Sequence, residues 1–348
     1  MRRGNAIMKY ISFVVPSYNS EKYLNKCIDS LLYGGEDVEI IIVNDGSIDR
    51  TLEIALEYQN KYPTIVKVVD QENGGHGSGL NAGIKNATGL YFKCVDSDDW
   101  VEQDSYKKVL DVLKSNHELN NDSDLYLTNY VFERLDCNKQ YIHKNTKAFA
   151  PNKMLSWADV KKLGLSEYIV MHSMIYKLDV LKESKVNLPL HTYYVDNIFT
   201  FVPLKYVKSI YYIDTNFYRY YVGREGQSVT FENMTKNYKM QIKVMRELSL
   251  VYSYDELKAL PKGQRKFMMH DLIIKSFLTL FYVMADYNKE RKYDYDEYFK
   301  EFKKQNRSLY YKLRYRTYFL FPFTLIMPLR HFVVMSVYKK VVKKTNWQ

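Results

Sequence analysis

Cysteine is scarce in this chain. Its 348 residues hold three, Cys27, Cys94 and Cys137, odd in number and far apart. That excludes a disulfide framework and a paired-cysteine metal centre, and it points to a reducing cytoplasm. Internal repeats and low-complexity linkers are missing, which excludes a repeat array. Long apolar runs are missing as well: none reaches the roughly 18 to 20 residues that span a bilayer. The opening MRRGNAIMKYISFVVPSYN has a short apolar run interrupted by Pro16. A signal peptide needs a longer apolar region and a small-residue cleavage site, so this segment reads as the lead-in to a buried strand.

Acidic residues vanish from Phe302 to Gln348, where eleven Lys or Arg stand without one Asp or Glu, equal to the whole formal excess of +11. The same tail holds YFLFPFTLIMPL, with Pro322 and Pro328 as helix breakers, then HFVVMSVYKKVVKK. Basic and aromatic residues together suit an anionic membrane surface. They also suit a packed helix with a solvated end, or phosphates and bases. The apolar density and the lack of any nucleic-acid motif favour the membrane surface and argue against nucleic acid.

What is present is a folded globular composition, 46% hydrophobic and 26% charged. The first hundred residues alternate in the βαβ manner. Ile11–Ser17 (ISFVVPS), Val38–Ser47, Val66–Val69 and Leu90–Val95 read as strands. Glu21–Tyr33 and Asp49–Tyr62 read as helices, and the glycine-rich GGHGSGLNAGIKNA (Gly74–Ala87) opens another. Strands apolar throughout imply a parallel sheet covered on both faces. Each polar turn, PSYN, VNDGS, NGGHGSG and DSDD, follows the C-terminal end of a strand, where ligands bind in open α/β sheets. The region Lys107–Val229 mixes helix and strand, and from Asn233 onward the pattern is mostly helical.

Asp96, Asp98 and Asp99 lie within four residues of one another and repel, so a divalent cation would reward them. A surface loop could also carry them, and Asp99 with Trp100 could open a helix. Asp45 in NDGS could bind a base or ribose, or simply form a turn. A glycine-rich loop at a helix start suits a diphosphate. The P-loop lysine motif is absent, and GGHGSG does not fit the dinucleotide fingerprint, which should follow the first strand.

In order and spacing, PSYN, VNDGSIDRT, ENGGHGSGLNAGIKNATG and VDSDDW resemble the family 2 glycosyltransferases, inverting enzymes of the GT-A fold. The strong match covers Ile11 to Trp100, and a weaker one continues through YYVDNIFTF to YRYYVGREGQSVT. The resemblance implies an α/β fold with a Rossmann-like, mostly parallel mixed sheet flanked by helices over 1–230. Residues 8–105 would be the nucleotide-sugar half and 106–230 the acceptor half, with a helical C-terminal region over 231–348. It implies that Pro16, Tyr18, Asn19, Asp45, Asn73, Gly75, His76, Asn81, Asp96 and Arg224 line the nucleotide site. Asp98 and Asp96 would hold Mg²⁺ or Mn²⁺, and Asp196 would be the general base. The expected partners are a UDP-sugar donor, a glycan or lipid-linked acceptor, the inner face of the cell membrane and an oligomeric copy.

Two positions depart from the family pattern. Leu80 stands where many members have arginine, with Lys93 or Arg224 as compensating cations, and Val195 replaces the glutamate before Asp196. Three rivals are a nucleotidyltransferase, a degenerate transferase-like scaffold and a binding module whose tail is the functional part. The first should carry a basic phosphate loop near the first strand, where PSYN stands instead.

Overall fold

The computed structural model describes residues 8–164, 168–223, 227, 230–286 and 288–320. The chain divides into two compact units, Met1–Lys161 with Ile169–Val222, and Lys162–Tyr168 with Gly223–Gln348. The basic tail beyond Leu320 lies outside the described residues.

In the first unit the strands are β1 (Ile11–Ser17), β2 (Val38–Asp45), β3 (Val66–Gln71), β4 (Tyr91–Cys94) and β5 (Trp100–Val101). They continue with β6 (Leu125–Arg134), β7 (Lys139–His143), β8 (Met154–Ser156), β9 (Met174–Lys177) and β10 (Ser209–Tyr221). Among the described residues they form one sheet in the order β3-β2-β1-β4-β9-β6-β10-β5, with β7 on β6 and β8 on β10. The expected parallel half is present: β3, β2, β1 and β4 pair in parallel. Beyond β4 the sheet is mixed, because β9 runs antiparallel to both neighbours while β6 and β10 run parallel. The helices of this unit are α1 (Leu24–Leu32), α2 (Thr51–Lys61), α3 (His76–Asn86), α4 (Gln103–Glu118), α5 (Leu178–Ser184) and α6 (Asp196–Phe201).

Local chemistry explains these elements. β1 and β2 are buried at every residue, as β-branched runs in a covered sheet should be. The i, i+3, i+4 spacing of Leu24, Cys27, Ile28 and Leu31 puts one face of α1 into that core. Glu39 is the one carboxylate on β2 before its end, 9% exposed, and is satisfied there by the Ser12 hydroxyl (2.5 Å) and the backbone N–H groups of Thr88 (2.6 Å) and Gly89 (3.0 Å). That knot fixes the turn leading into β4.

Helix α3 lies unusually close to β1. A Cβ on Gly79 would stand 2.9 Å from the Pro16 Cβ, and one on Gly83 would stand 2.2 Å from Val14 Cγ1. The chain order reverses between β1 and β4, so the crevice at their carboxyl ends is where a ligand is expected.

The second unit is helical: α7 (Phe231–Lys236), α8 (Tyr238–Leu250), α9 (Tyr254–Ala259), α10 (Lys262–Ala285), α11 (Lys289–Gln305) and α12 (Arg307–Leu320). By length and composition α10 could cross a membrane, but 78% of its most apolar window is buried inside the molecule, the behaviour of a core helix. Its polar pair Asp271 and Lys275 is buried and bonded at 2.6 Å.

Gly83→Ala should destabilise the protein by about 1–3 kcal/mol, because Val14 is fully buried and has no room to give. Urea titration would show a lowered midpoint, and an unchanged one would mean that α3 and β1 are not in close contact.

Candidate active site

The ends of β1, β2 and β4 carry the predicted residues. After β1, Asn19 adopts the left-handed conformation (φ 49°). Its side-chain oxygen accepts the Ile48 N–H (2.9 Å), and its own N–H donates to the Ser47 hydroxyl (3.1 Å), so the PSYN and NDGS turns hold each other. Ser20 and Ser97 share a hydrogen bond of 2.7 Å that ties the first turn to the aspartate turn. Pro16 is buried against α3, whereas Tyr18 is 53% exposed at the rim.

Asp45, at the end of β2 and 3% exposed, organises the glycine loop. One carboxylate oxygen accepts from Gln71 Nε2 (2.6 Å) and the Gly74 N–H (3.0 Å), and the other accepts from the Gly75 N–H (2.7 Å). Asn73 donates to the Asp45 carbonyl (2.8 Å). Gly75, at φ 82°, then turns the chain into α3. The Asp45 carboxylate thus holds the glycine loop about 30 residues downstream of its own turn.

The loop delivers His76 to the acids. His76 Nε2 lies 2.9 Å from Asp96 Oδ1. Burial opposes charge on both groups, yet the mutual bond and attraction hold Asp96 below the ordinary carboxylate range and His76 above the ordinary imidazole one. Asp98 is half-buried.

Asp99 behaves differently. It is 1% exposed, and it accepts from the Tyr218 hydroxyl (2.6 Å) and the Tyr221 N–H (2.8 Å). Burial, then repulsion from Asp98 and Asp96, pushes its carboxyl well up. The helix-start expectation for Asp99 and Trp100 is overturned: Trp100 lies on β5, and α4 begins at Gln103 with Glu102 as its cap. The pairing of β5 with β10 turns Asp99 inward toward Tyr218.

Asp196 is the first residue of α6 and is half-buried. Its charge acts on His76 together with those of Asp96 and Asp98, and on Tyr220 together with those of all three turn aspartates. The family departures now have structural readings. Val195 is 1% exposed, so a glutamate there would be a buried charge. Leu80 is wholly buried in the α3 packing. Lys93 does not compensate for it, because its ammonium is spent on the carbonyls of Met171 (3.0 Å) and His172 (2.5 Å), and burial lowers its pKa to about 7. Arg224 lies outside the described residues.

Asn81 lies on α3, where the resemblance implies a nucleotide contact. Its amide is engaged by one backbone residue, donating to the Leu188 carbonyl and accepting the Leu188 N–H, both at 2.9 Å.

Asp96 and Asp98 fit a hard divalent cation. They are oxygen donors, neither is sealed from solvent, and after burial their negative charge helps to push the Asp99 carboxyl up. His172 has no metal-ligand spacing in the sequence and reads there as an ordinary polar or packing residue. Its ring stacks on Tyr218 (4.7 Å) and lies tilted against Tyr220 (4.4 Å), one of its ligand atoms lies within 4.8 Å of those of Asp96 and Asp99, and its Nδ1 is buried with no hydrogen-bond partner. No motif marks it; the alternating aromatics of YRYY were the available signal for its stacking partners.

Burial, aided by Lys93 and His76, lowers the His172 pKa to about 4. Protonation thus costs the folded state, so stability should be full above the unfolded value of about 6.5 and fall as pH drops toward 4, by about 2–3 kcal/mol. Urea unfolding at pH 7 and pH 4 should show a smaller acid loss in His172→Phe, which keeps the stack and cannot titrate. Equal losses would place His172 in an ordinary hydrated environment.

Residues 12–157 match the model of glycosyl transferase family 2. The Bacillus subtilis protein EpsH is 30% identical over 218 residues, 60% of this chain and 60% of EpsH. The poly(ribitol-phosphate) beta-N-acetylglucosaminyltransferase TarS of Staphylococcus aureus is 28% identical over 228 residues, 64% of this chain and 37% of TarS. The crystal structure of S. aureus TarS 1–349 superposes with a TM-score of 0.65 at 20% identity, over 95% of this chain and 91% of that one, which shows a shared fold. The four ordered motifs, the site they build and these likenesses agree: residues 12–157 are a glycosyl transferase family 2 domain, and the chain has the GT-A fold.

Proposed function

We propose that the protein is an inverting glycosyltransferase. It moves a sugar from a UDP-sugar to a hydroxyl of a glycan or lipid-linked acceptor in cell-surface polysaccharide synthesis. The observation that carries this reading is the convergence of four elements on His76. The Asp45-bound glycine loop supplies it, Asp96 bonds it, and Asp98 and Asp196 act on it through their charge. The relatives lend support: TarS is named for transfer of N-acetylglucosamine to poly(ribitol phosphate), and its 1–349 fragment has been solved with UDP-GlcNAc and with UDP.

The chemistry then assigns roles. Asp196 takes the proton of the acceptor hydroxyl as its oxygen forms a bond to the anomeric carbon. On the opposite face the bond from that carbon to the diphosphate oxygen breaks, and the nucleoside diphosphate leaves with the electron pair. Asp96 and Asp98 would hold Mg²⁺ or Mn²⁺, which supplies Lewis-acid stabilisation of the leaving diphosphate. Tyr18, Asn19, Asp45, Asn73, Gly75 and His76 form the nucleotide side of the crevice. The half-buried Phe132 and Tyr220 and the exposed Tyr141 offer rings for sugar C–H faces on the acceptor side. The basic tail suits contact with the inner face of the cell membrane, where a lipid-linked acceptor would be met.

Calorimetry with UDP, GDP, CDP and dTDP, each with and without Mn²⁺, tests the donor site. UDP should bind with metal, and Asp98→Asn should abolish that binding; failure of every nucleotide to bind would sink the reading. Asp196→Asn should lower the turnover of the UDP-sugar by about 10²- to 10⁴-fold and leave UDP affinity intact. Retained turnover would remove Asp196 as the base.

A further inference from the structure

The segment that carries Asp196 has little regular structure of its own to hold it in place. Between Leu188 and Asp196 the chain has neither helix nor strand, and it contains two non-glycine residues in the left-handed region, His191 (φ 47°) and Tyr194 (φ 64°). Such residues cost about 1 kcal/mol or more each and persist only where surroundings impose them. At one end Val195 is buried immediately before Asp196. At the other, Asn81 exchanges two hydrogen bonds with the backbone of Leu188.

A further link binds the same segment to the glycine loop: the His191 N–H donates to the Gly74 carbonyl at 2.7 Å. The approach is close because the facing residues lack side chains. A Cβ on Gly77 would stand 2.7 Å from the Pro189 carbonyl oxygen, and one on Gly75 would stand 3.3 Å from the His191 backbone. Asn81 itself is on α3, locked to β1 by the Gly79 and Gly83 contacts. One route from the central strand to Asp196 therefore runs through the Asn81 side-chain amide.

We infer that Asn81 is a positioning residue for Asp196, clamping the Leu188–Val195 segment in register with the glycine loop, and that it does not contact the nucleotide. This rests on the transferase reading for its catalytic consequence but not for the clamp. Asparagine suits the task because it donates and accepts at once, toward the carbonyl and the N–H of a single residue. Aspartate could only accept, glutamine would be one methylene too long, and alanine would do neither. Loss of the clamp would let the strained segment relax and displace the carboxylate, and a misplacement of about 1 Å can cost about 10²-fold in rate.

Two measurements on Asn81→Ala and Asn81→Asp test the inference. Hydrogen exchange should quicken across Leu188–Asp196 in both variants, with Asn81→Asp the milder. Unchanged exchange there overturns the clamp whether or not the protein is a transferase. For catalysis the probes are UDP-glucose and UDP-N-acetylglucosamine with Mn²⁺, water serving as acceptor and UDP release as the signal. Asn81→Ala should lower turnover by about 10- to 100-fold while UDP affinity changes less than about twofold. In an Asp196→Asn background the same substitution should lower it no further, because Asn81 acts through that carboxylate. A weakened UDP affinity matching the lost turnover, or a full additional loss in the double variant, overturns the inference. Absence of UDP binding or release in the wild type sinks the transferase reading alone and leaves the exchange result to judge the clamp.

Discussion

The repulsion among three carboxylates at the end of β4 is the constraint to which the surrounding structure responds, and each carboxylate is handled in a different way. Asp96 is bonded to His76, which arrives from the glycine loop. Asp99 is turned inward, pushed toward its neutral form by burial and by its neighbours, and held by Tyr218 and Tyr221 of β10. Asp98 keeps solvent access beside them. Three elements far apart in sequence, the β4 turn, the glycine loop and β10, meet in this arrangement. If all three carboxylates were open and charged, they would oppose folding; if all were paired, they would have no capacity left for a cation.

Lys93 shows how narrow that solution is. A buried lysine three residues before Asp96 looks like the natural counter-charge for the cluster. Its ammonium instead meets the carbonyls of Met171 and His172 and lies 4.7 Å from the Tyr218 ring centroid. Its lowered pKa leaves it only partly charged near neutrality. Its hydrogen bonds brace the segment that places His172 against Tyr218 and Tyr220.

The parallel half of the sheet was legible because its signal is local. Unbroken apolar runs, glycine and asparagine turns and amphipathic spacing all lie within a few residues of the elements they specify, and β1 and the burial of α1 follow the expected pattern closely. The mixed half was not legible. β9 is short, and its register with β4 and β6 depends on partners more than 40 residues away. Asp99 looked like a helix start because capping chemistry and burial beside a distant tyrosine have the same local sequence. Asn81 looked like a nucleotide contact because the motif that contains it is read by position along the chain. Its partner, Leu188, is 107 residues away and supplies only backbone atoms, which leave no signature in sequence.

The glycines of the loop after β3 are usually read as room for a phosphate, and Gly75 does expose its N–H at a left-handed turn. That N–H is already bonded to Asp45, and the faces of Gly75 and Gly77 are occupied by the backbone of Pro189 and His191. The missing side chains thus make room for another stretch of the same chain at least as much as for a ligand. A loop bound on one side by the Asp45 carboxylate and on the other by the segment leading to Asp196 cannot move without moving both. The glycine loop and the segment leading to Asp196 are consequently parts of one packed assembly.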